Sequence, residues 1–96
     1  MNNGKATYYV RLALENGVVR YSTSHLPKQL EKRGIDMLDV NAVLSGGKVT
    51  RTEWKKDIRV WECKMIGLSA DNQEISVGLF LYHEQNMIVI TTAFKA

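Results

Sequence analysis

Apolar positions along this chain repeat with two different periods. Up to about Gly47 they fall three and four residues apart, the spacing that lines up side chains on one face of a helix. From Lys48 onward they alternate with polar positions, which sorts side chains to the two faces of a strand. Residues 5–16 read as a first helix, with Tyr9, Leu12, Ala13 and Asn16 at helical spacing and Gly17 as its stop. A strand competes there, because Thr7-Tyr8-Tyr9-Val10 is β-prone. Val18–Tyr21 is a short strand. A second helix follows, with Thr23 or Ser24 as its cap, Pro27 tolerated in the first turn, Leu26 and Leu30 as the buried edge and Gly34 as the end. Asp36 caps a third helix. Ile35 and Val40 sit at the spacing of a hydrophobic staple, and Met37, Val40, Val43 and Leu44 form the apolar stripe up to Ser45-Gly46-Gly47.

The alternating half predicts strands near 48–55, 58–68, 74–83 and 87–95, joined as an antiparallel meander. Trp61, Cys63 and Met65 share one face of their strand, and Ile75, Val77, Leu79 and Leu81 share one face of the next. In the last strand, straight alternation groups Ile88, Ile90, Thr92 and Phe94 against Val89, Thr91 and Ala93. Ser69–Gln73 and His83–Asn86 are turn-like breaks. Helices first and sheet second make an α+β domain, with helices packed on a curved, mostly antiparallel sheet of four to five strands. The 96 residues suffice for one domain spanning 1–96, with no repeat or linker.

Composition narrows the picture. The hydrophobic content of 45% is that of an ordinary globular protein. No apolar run approaches the roughly 20 residues that cross a bilayer, and the first residues lack the apolar stretch of a signal peptide. A lone Cys63 forms no internal disulfide and fits a small core residue in a reducing compartment. A cytoplasmic protein is expected. Charge is lopsided: residues 1–59 hold eleven Lys and Arg against six Asp and Glu, a balance of +5, whereas residues 60–96 hold two against four, or −2. A one-sided basic surface suits an anionic partner, nucleic acid or acidic protein; a solvated surface without a partner is the competing reading.

Two clusters carry candidate chemistry. On the second helix, Lys28 and Lys32 are four apart and share a face, His25 lies three before Lys28, and Arg33 follows. They make either an anion site at the start of the helix or a polar face turned to water. The second cluster, Lys48–Arg59, sets five basic and two acidic residues around Trp54. An aromatic ring among bases can stack on a nucleotide while Arg51, Lys55 and Lys56 hold phosphate; the same lysines would also protect a sheet edge. Metal-free RNA cleavage needs a proton-transfer group, for which His25 or Glu53 qualifies, and cations to stabilise charge on phosphate. No phosphate-binding glycine loop, catalytic triad, metal-ligand spacing or cofactor motif is present.

Ser22, Ser24, His25, Arg33, Gly34, Ile35, Asp39, Val40, Val43, Leu44 and Gly47 resemble the pattern of a small bacterial family, domain-of-unknown-function family 4258. Its members look like a strand ending in Ser-x-His, a helix closing in Arg-Gly-Ile, a short helix and a curved antiparallel sheet. Leu26, Pro27 and Lys28 replace the alanine and mid-helix arginine usual in the family. The architecture is also similar to the RelE/ParE-like toxins, including the MqsR and BrnT groups. That resemblance implies a toxin of a toxin–antitoxin pair that binds and cleaves RNA without a metal, neutralised by an antitoxin. On this reading His25 and Glu53 are catalytic, and Lys28, Lys32, Arg33, Arg51, Trp54, Lys55 and Lys56 bind RNA. The alternative is a non-catalytic interaction module: an immunity, antitoxin or mobile-element accessory protein.

Overall fold

A computed structural model describing residues 1–96 shows three helices packed on one face of a five-stranded sheet, an α+β fold. The first helix, α1 (Asn3–Asn16), begins at Asn2, whose side chain accepts the Lys5 N–H at 2.8 Å. Its buried residues are Ala6, Thr7, Val10 and Ala13. Of the expected stripe Tyr9, Leu12, Ala13 and Asn16, Ala13 is buried and Tyr9 packs partly against the core, while Asn16 is exposed; the inward face is rotated toward Ala6 and Val10, whose small side chains let the helix lie close on the sheet. Gly17 stops the helix, but at φ −117° and not in the left-handed region.

Strand β1 (Val18–Tyr21) follows. Helix α2 (Leu26–Lys32) is not capped by Thr23 or Ser24 as expected: His25 occupies the cap, and its side chain makes no capping bond. Instead the Thr23 carbonyl accepts the Leu26 N–H at 3.3 Å, a backbone turn that supplies the entry. Leu26 and Leu30 are buried. The helix ends in a Schellman motif around Gly34 (φ +74°), with Ile35 N–H donating to Leu30 and Gly34 N–H to Glu31, both at 2.9 Å.

Helix α3 (Met37–Gly46) opens with a reciprocal capping box, in which Asp36 and Asp39 each accept the other's backbone N–H at 2.9 and 3.0 Å. It buries Val40, Val43 and Leu44 but leaves Met37 exposed, because Met37 lies in the first turn, outside the sheet's footprint.

Strands β2 (Lys48–Lys55), β3 (Val60–Leu68), β4 (Glu74–Tyr82) and β5 (Met87–Lys95) form the expected meander. The sheet order is β1-β5-β4-β3-β2, and β1 pairs with β5 in parallel. Cys63, Met65, Ile75, Val77, Leu79, Leu81, Ile88 and Ile90 point toward the helices and join one core cluster.

Two bulges interrupt the register. In β2, Val49 faces Met65 but Arg51 faces Lys64, so Thr50 is the extra residue. In β5, Ile90 faces Leu79 but Thr92 faces Gly78, so Thr91 is the extra residue. The second bulge overturns the straight alternation expected for the last strand: Ala93 turns inward and is buried, while Thr92 and Phe94 turn outward. No helix is long and apolar enough to cross a membrane.

Candidate anion-binding groove

The open face of the sheet, opposite the helices, carries a groove of about 370 Å³. Its lining includes Arg51, Glu62 and Lys64 on one side, Ser76 and Gly78 along the floor, and Thr91, Thr92 and Phe94 on the other. The β5 bulge brings Phe94 here, and its ring is 50% exposed.

Arg33 reaches the far wall from the end of α2. Its Nη1 donates to the Ala93 carbonyl at 3.0 Å and to the Thr92 hydroxyl at 3.4 Å. The guanidinium lies 4.7 Å from the centre of the Phe94 ring. Arg33 thereby closes the stretch of β5 edge that runs beyond Tyr21, the last residue of β1. It is a latch first and a groove cation second.

On the near wall the charges follow from register. Arg51 stands directly opposite Lys64, and Glu53 directly opposite Glu62. Like charges across a strand pair repel. Lys55 relieves the acidic pair, contacting Glu53 at 3.5 Å and Glu62 at 3.7 Å, while Arg51 leans to Glu53 at 3.4 Å. These are solvent-exposed pairs, worth at most about 1 kcal/mol each. Lys64 has no carboxylate partner. Two cations are thus held face to face at the lip of a groove, with Glu53 and Glu62 next along the strand pair; Arg51 is already paired with Glu53, so Lys64 is the cation that a bound anion would relieve.

The residues expected from sequence do not all meet here. Arg51, Glu53 and Lys55 share the outer face, and Arg33 borders the groove. Lys28 and Lys32 are exposed on α2 and form no ion pair. His25 is exposed at the start of α2, eight residues and roughly 12 Å of helical rise before Arg33. Lys56 lies exposed at the β2–β3 turn. Trp54 falls on the other face: its ring packs 5.0 Å from that of Trp61 and lines a separate pocket with Ile58, Arg59 and His83. The period of two dictates this, since Trp54 lies between Glu53 and Lys55.

Glu62, Lys64, Ser76, Thr92 and Phe94 are groove residues that the sequence did not single out. The outward position of Glu62 and Lys64 was implicit in the alternation of β3. That of Phe94 was masked by the bulge.

Cys63 lies on the core side, 2% exposed. Burial pushes its thiol up from 9.0 to about 11, Glu62 adds to the rise, and a hydrogen bond with Thr52 opposes it. The protonated thiol is therefore favoured by folding. Its stability contribution is complete below pH 9 and is lost as pH climbs from 9 toward 11. Native protein at pH 8 is expected to alkylate with iodoacetamide far more slowly than urea-unfolded protein; equal rates would contradict a buried, protonated Cys63.

The fold and its groove define a small α+β domain presenting a basic-lipped cleft on the uncovered face of its sheet. No group of three or more His, Cys, Asp or Glu side chains is placed to hold a metal ion. Residues 22–95 match the model of the family described as "Domain of unknown function (DUF4258)", and the chain belongs to that family. No curated protein and no solved structure matches it.

Proposed function

We propose that this protein is a toxin-like domain that binds, and cleaves, single-stranded RNA on the outer face of its sheet. The observation that carries the reading is the pairing of Arg51 against Lys64 at the lip of the groove. A phosphodiester between them would neutralise Lys64, which has no carboxylate partner, and compete with Glu53 for Arg51. Phe94 offers the face of a ring for a base to stack on, and the hydroxyls of Ser76, Thr91 and Thr92 lie along the path between. The volume falls at the small end of the roughly 300–1,000 Å³ typical of ligand sites.

For cleavage, Glu53 or Glu62 would take the 2′-hydroxyl proton while Arg51 and Lys64 stabilise charge on the phosphate oxygens. His25, exposed at the cap before α2, does not line the groove, so the leaving 5′-oxygen would take its proton from water there. The resemblance to RelE/ParE-like toxins read from the sequence supports this by analogy alone. A partner protein would neutralise the activity, and the cytoplasm is where its substrate would be met.

The test pairs fluorescence anisotropy on a labelled single-stranded RNA with a gel of the RNA after incubation. Phe94→Ala, checked for folding, is expected to weaken binding about tenfold, as loss of one stacked base implies. Glu62→Gln and Glu53→Gln are expected to retain binding and lose cleavage in one case or both. Folded wild-type protein that neither binds nor cuts RNA, and whose expression leaves growth and cellular RNA intact, would sink the reading.

A further inference from the structure

Each of the three reversals in the meander holds one residue in the left-handed region: Arg59 at φ 56°, Asn72 at φ 63° and Asn86 at φ 50°. Asparagine visits that region readily, whereas a long side chain does so at a cost. Arg59 is therefore the odd one of the three, because glycine or asparagine would close the β2–β3 turn more comfortably. Strain of this kind persists where the side chain serves a site. Arg59 forms no ion pair, and it lines the hollow of about 390 Å³ on the helix side of the sheet's end.

The floor of this hollow is a row of cross-strand neighbours. Trp54 stands opposite Trp61 and Trp61 opposite Leu81, with the two indole rings 5.0 Å apart. Leu81 is buried and Trp61 packs partly against the core, but Trp54 is 46% exposed. The row is anchored at one end and offers an uncovered aromatic face at the other. Glu84 also lines the hollow, carried by the 3-10 turn His83–Gln85. The Tyr9 ring, 5.4 Å from that of His83, ties this turn to α1. Glu84 has no ion pair, with Arg59 or with any other cation. The pocket thus presents a flat aromatic surface, a free guanidinium and a free carboxylate.

Those three features select among ligands. An aliphatic anion would use Arg59 and leave the indole uncovered. A cation would suit the rings and Glu84 but would meet Arg59. A nucleotide can use all three, with its base on the indole and its phosphate on the guanidinium. Among the bases, guanine alone sets two N–H donors side by side on its Watson–Crick edge, and a carboxylate accepts both together. Adenine and cytosine set one donor beside an acceptor there. We propose that this pocket binds a guanine nucleotide, with the base stacked on Trp54, its N1–H and N2–H donating to Glu84, and its phosphate held by Arg59. The pocket shares no residue with the outer groove, so the proposal stands or falls apart from the RNA reading above.

The chain's two tryptophans both line this pocket, so their fluorescence, excited at the red edge of indole absorption, reports on it directly. Guanosine 5′-monophosphate is expected to quench it saturably, with guanosine and adenosine 5′-monophosphate each binding about tenfold more weakly, as loss of one charged contact implies. Arg59→Gly should melt no lower than wild type, bind the monophosphate no better than guanosine, and leave guanosine binding unchanged. Glu84→Gln should erase the preference over the adenine nucleotide. A short single-stranded RNA with one internal guanosine separates the two sources of the ligand. Tighter binding of the RNA places the guanine in a chain, tighter binding of the monophosphate makes it a free nucleotide, and both uphold guanine recognition. No saturable quenching by the monophosphate or the RNA, equal binding of the guanine and adenine nucleotides, or unchanged monophosphate affinity in Arg59→Gly would each overturn the proposal.

Discussion

Gly17→Ala is expected to destabilise the protein by about 3 kcal/mol and to lower Tm by roughly 10–20 °C. The cause is contact, not backbone strain, because Gly17 sits at φ −117°. A Cβ there would overlap the carbonyl oxygen of Asn86 and come within 2.8–2.9 Å of its side chain. That carbonyl accepts the Val18 N–H at 3.0 Å, the bond that starts the β1–β5 ladder. Asn86 itself is held left-handed at φ 50°, so the turn has little freedom to retreat. With only four paired residues, β1 is the element that gives way. Gly46→Ala is the matched control: a Cβ there meets nothing within 4 Å, and the last turn of α3 should be unchanged or slightly firmer. Thermal denaturation followed by circular dichroism checks both. A Gly17→Ala protein melting within a few degrees of wild type would show that β1 is not pinned at Asn86.

The double change Arg51→Gln with Lys64→Gln is expected to separate function from stability. RNA affinity at low salt should fall about a hundredfold. The slope of log K against log salt should flatten by roughly 0.7, the contribution of the one phosphate the two cations share on a single strand. Stability should hold or rise by about 0.5 kcal/mol, because two opposed cations are removed from one strand pair. Anisotropy titrations across a salt series, with urea melts of the same samples, measure both. Affinity within about twofold of wild type would remove the outer face from consideration as the RNA surface.

The two halves of the chain were legible in the sequence to different depths. The Asp36 cap and the Gly34 stop are local events, settled by residues three or four apart, and both occur where the sequence puts them. The meander from Lys48 to Lys95 also follows from local alternation. The strand Val18–Tyr21 was visible as a strand, but its parallel pairing with β5 was not: four residues carry no record of a partner some seventy positions away. The His25 cluster looked like one site because its members are near in sequence. A seven-residue helix strings them out, turning Arg33 onto β5 while Lys28 and Lys32 face solvent.

The sequence by itself determined the fold class, the family, the order of elements and the basic bias of the first 59 residues, because periodicity, capping and charge are properties of short stretches. Only the tertiary structure decided which of the charged residues meet. One extra residue at Thr91 reverses the faces of β5 and brings Phe94 beside Arg33. The β2 bulge at Thr50 sets Arg51 against Lys64. A bulge depends on how two strands fit against a common core, and that fit exists only once the sheet has closed over its helices.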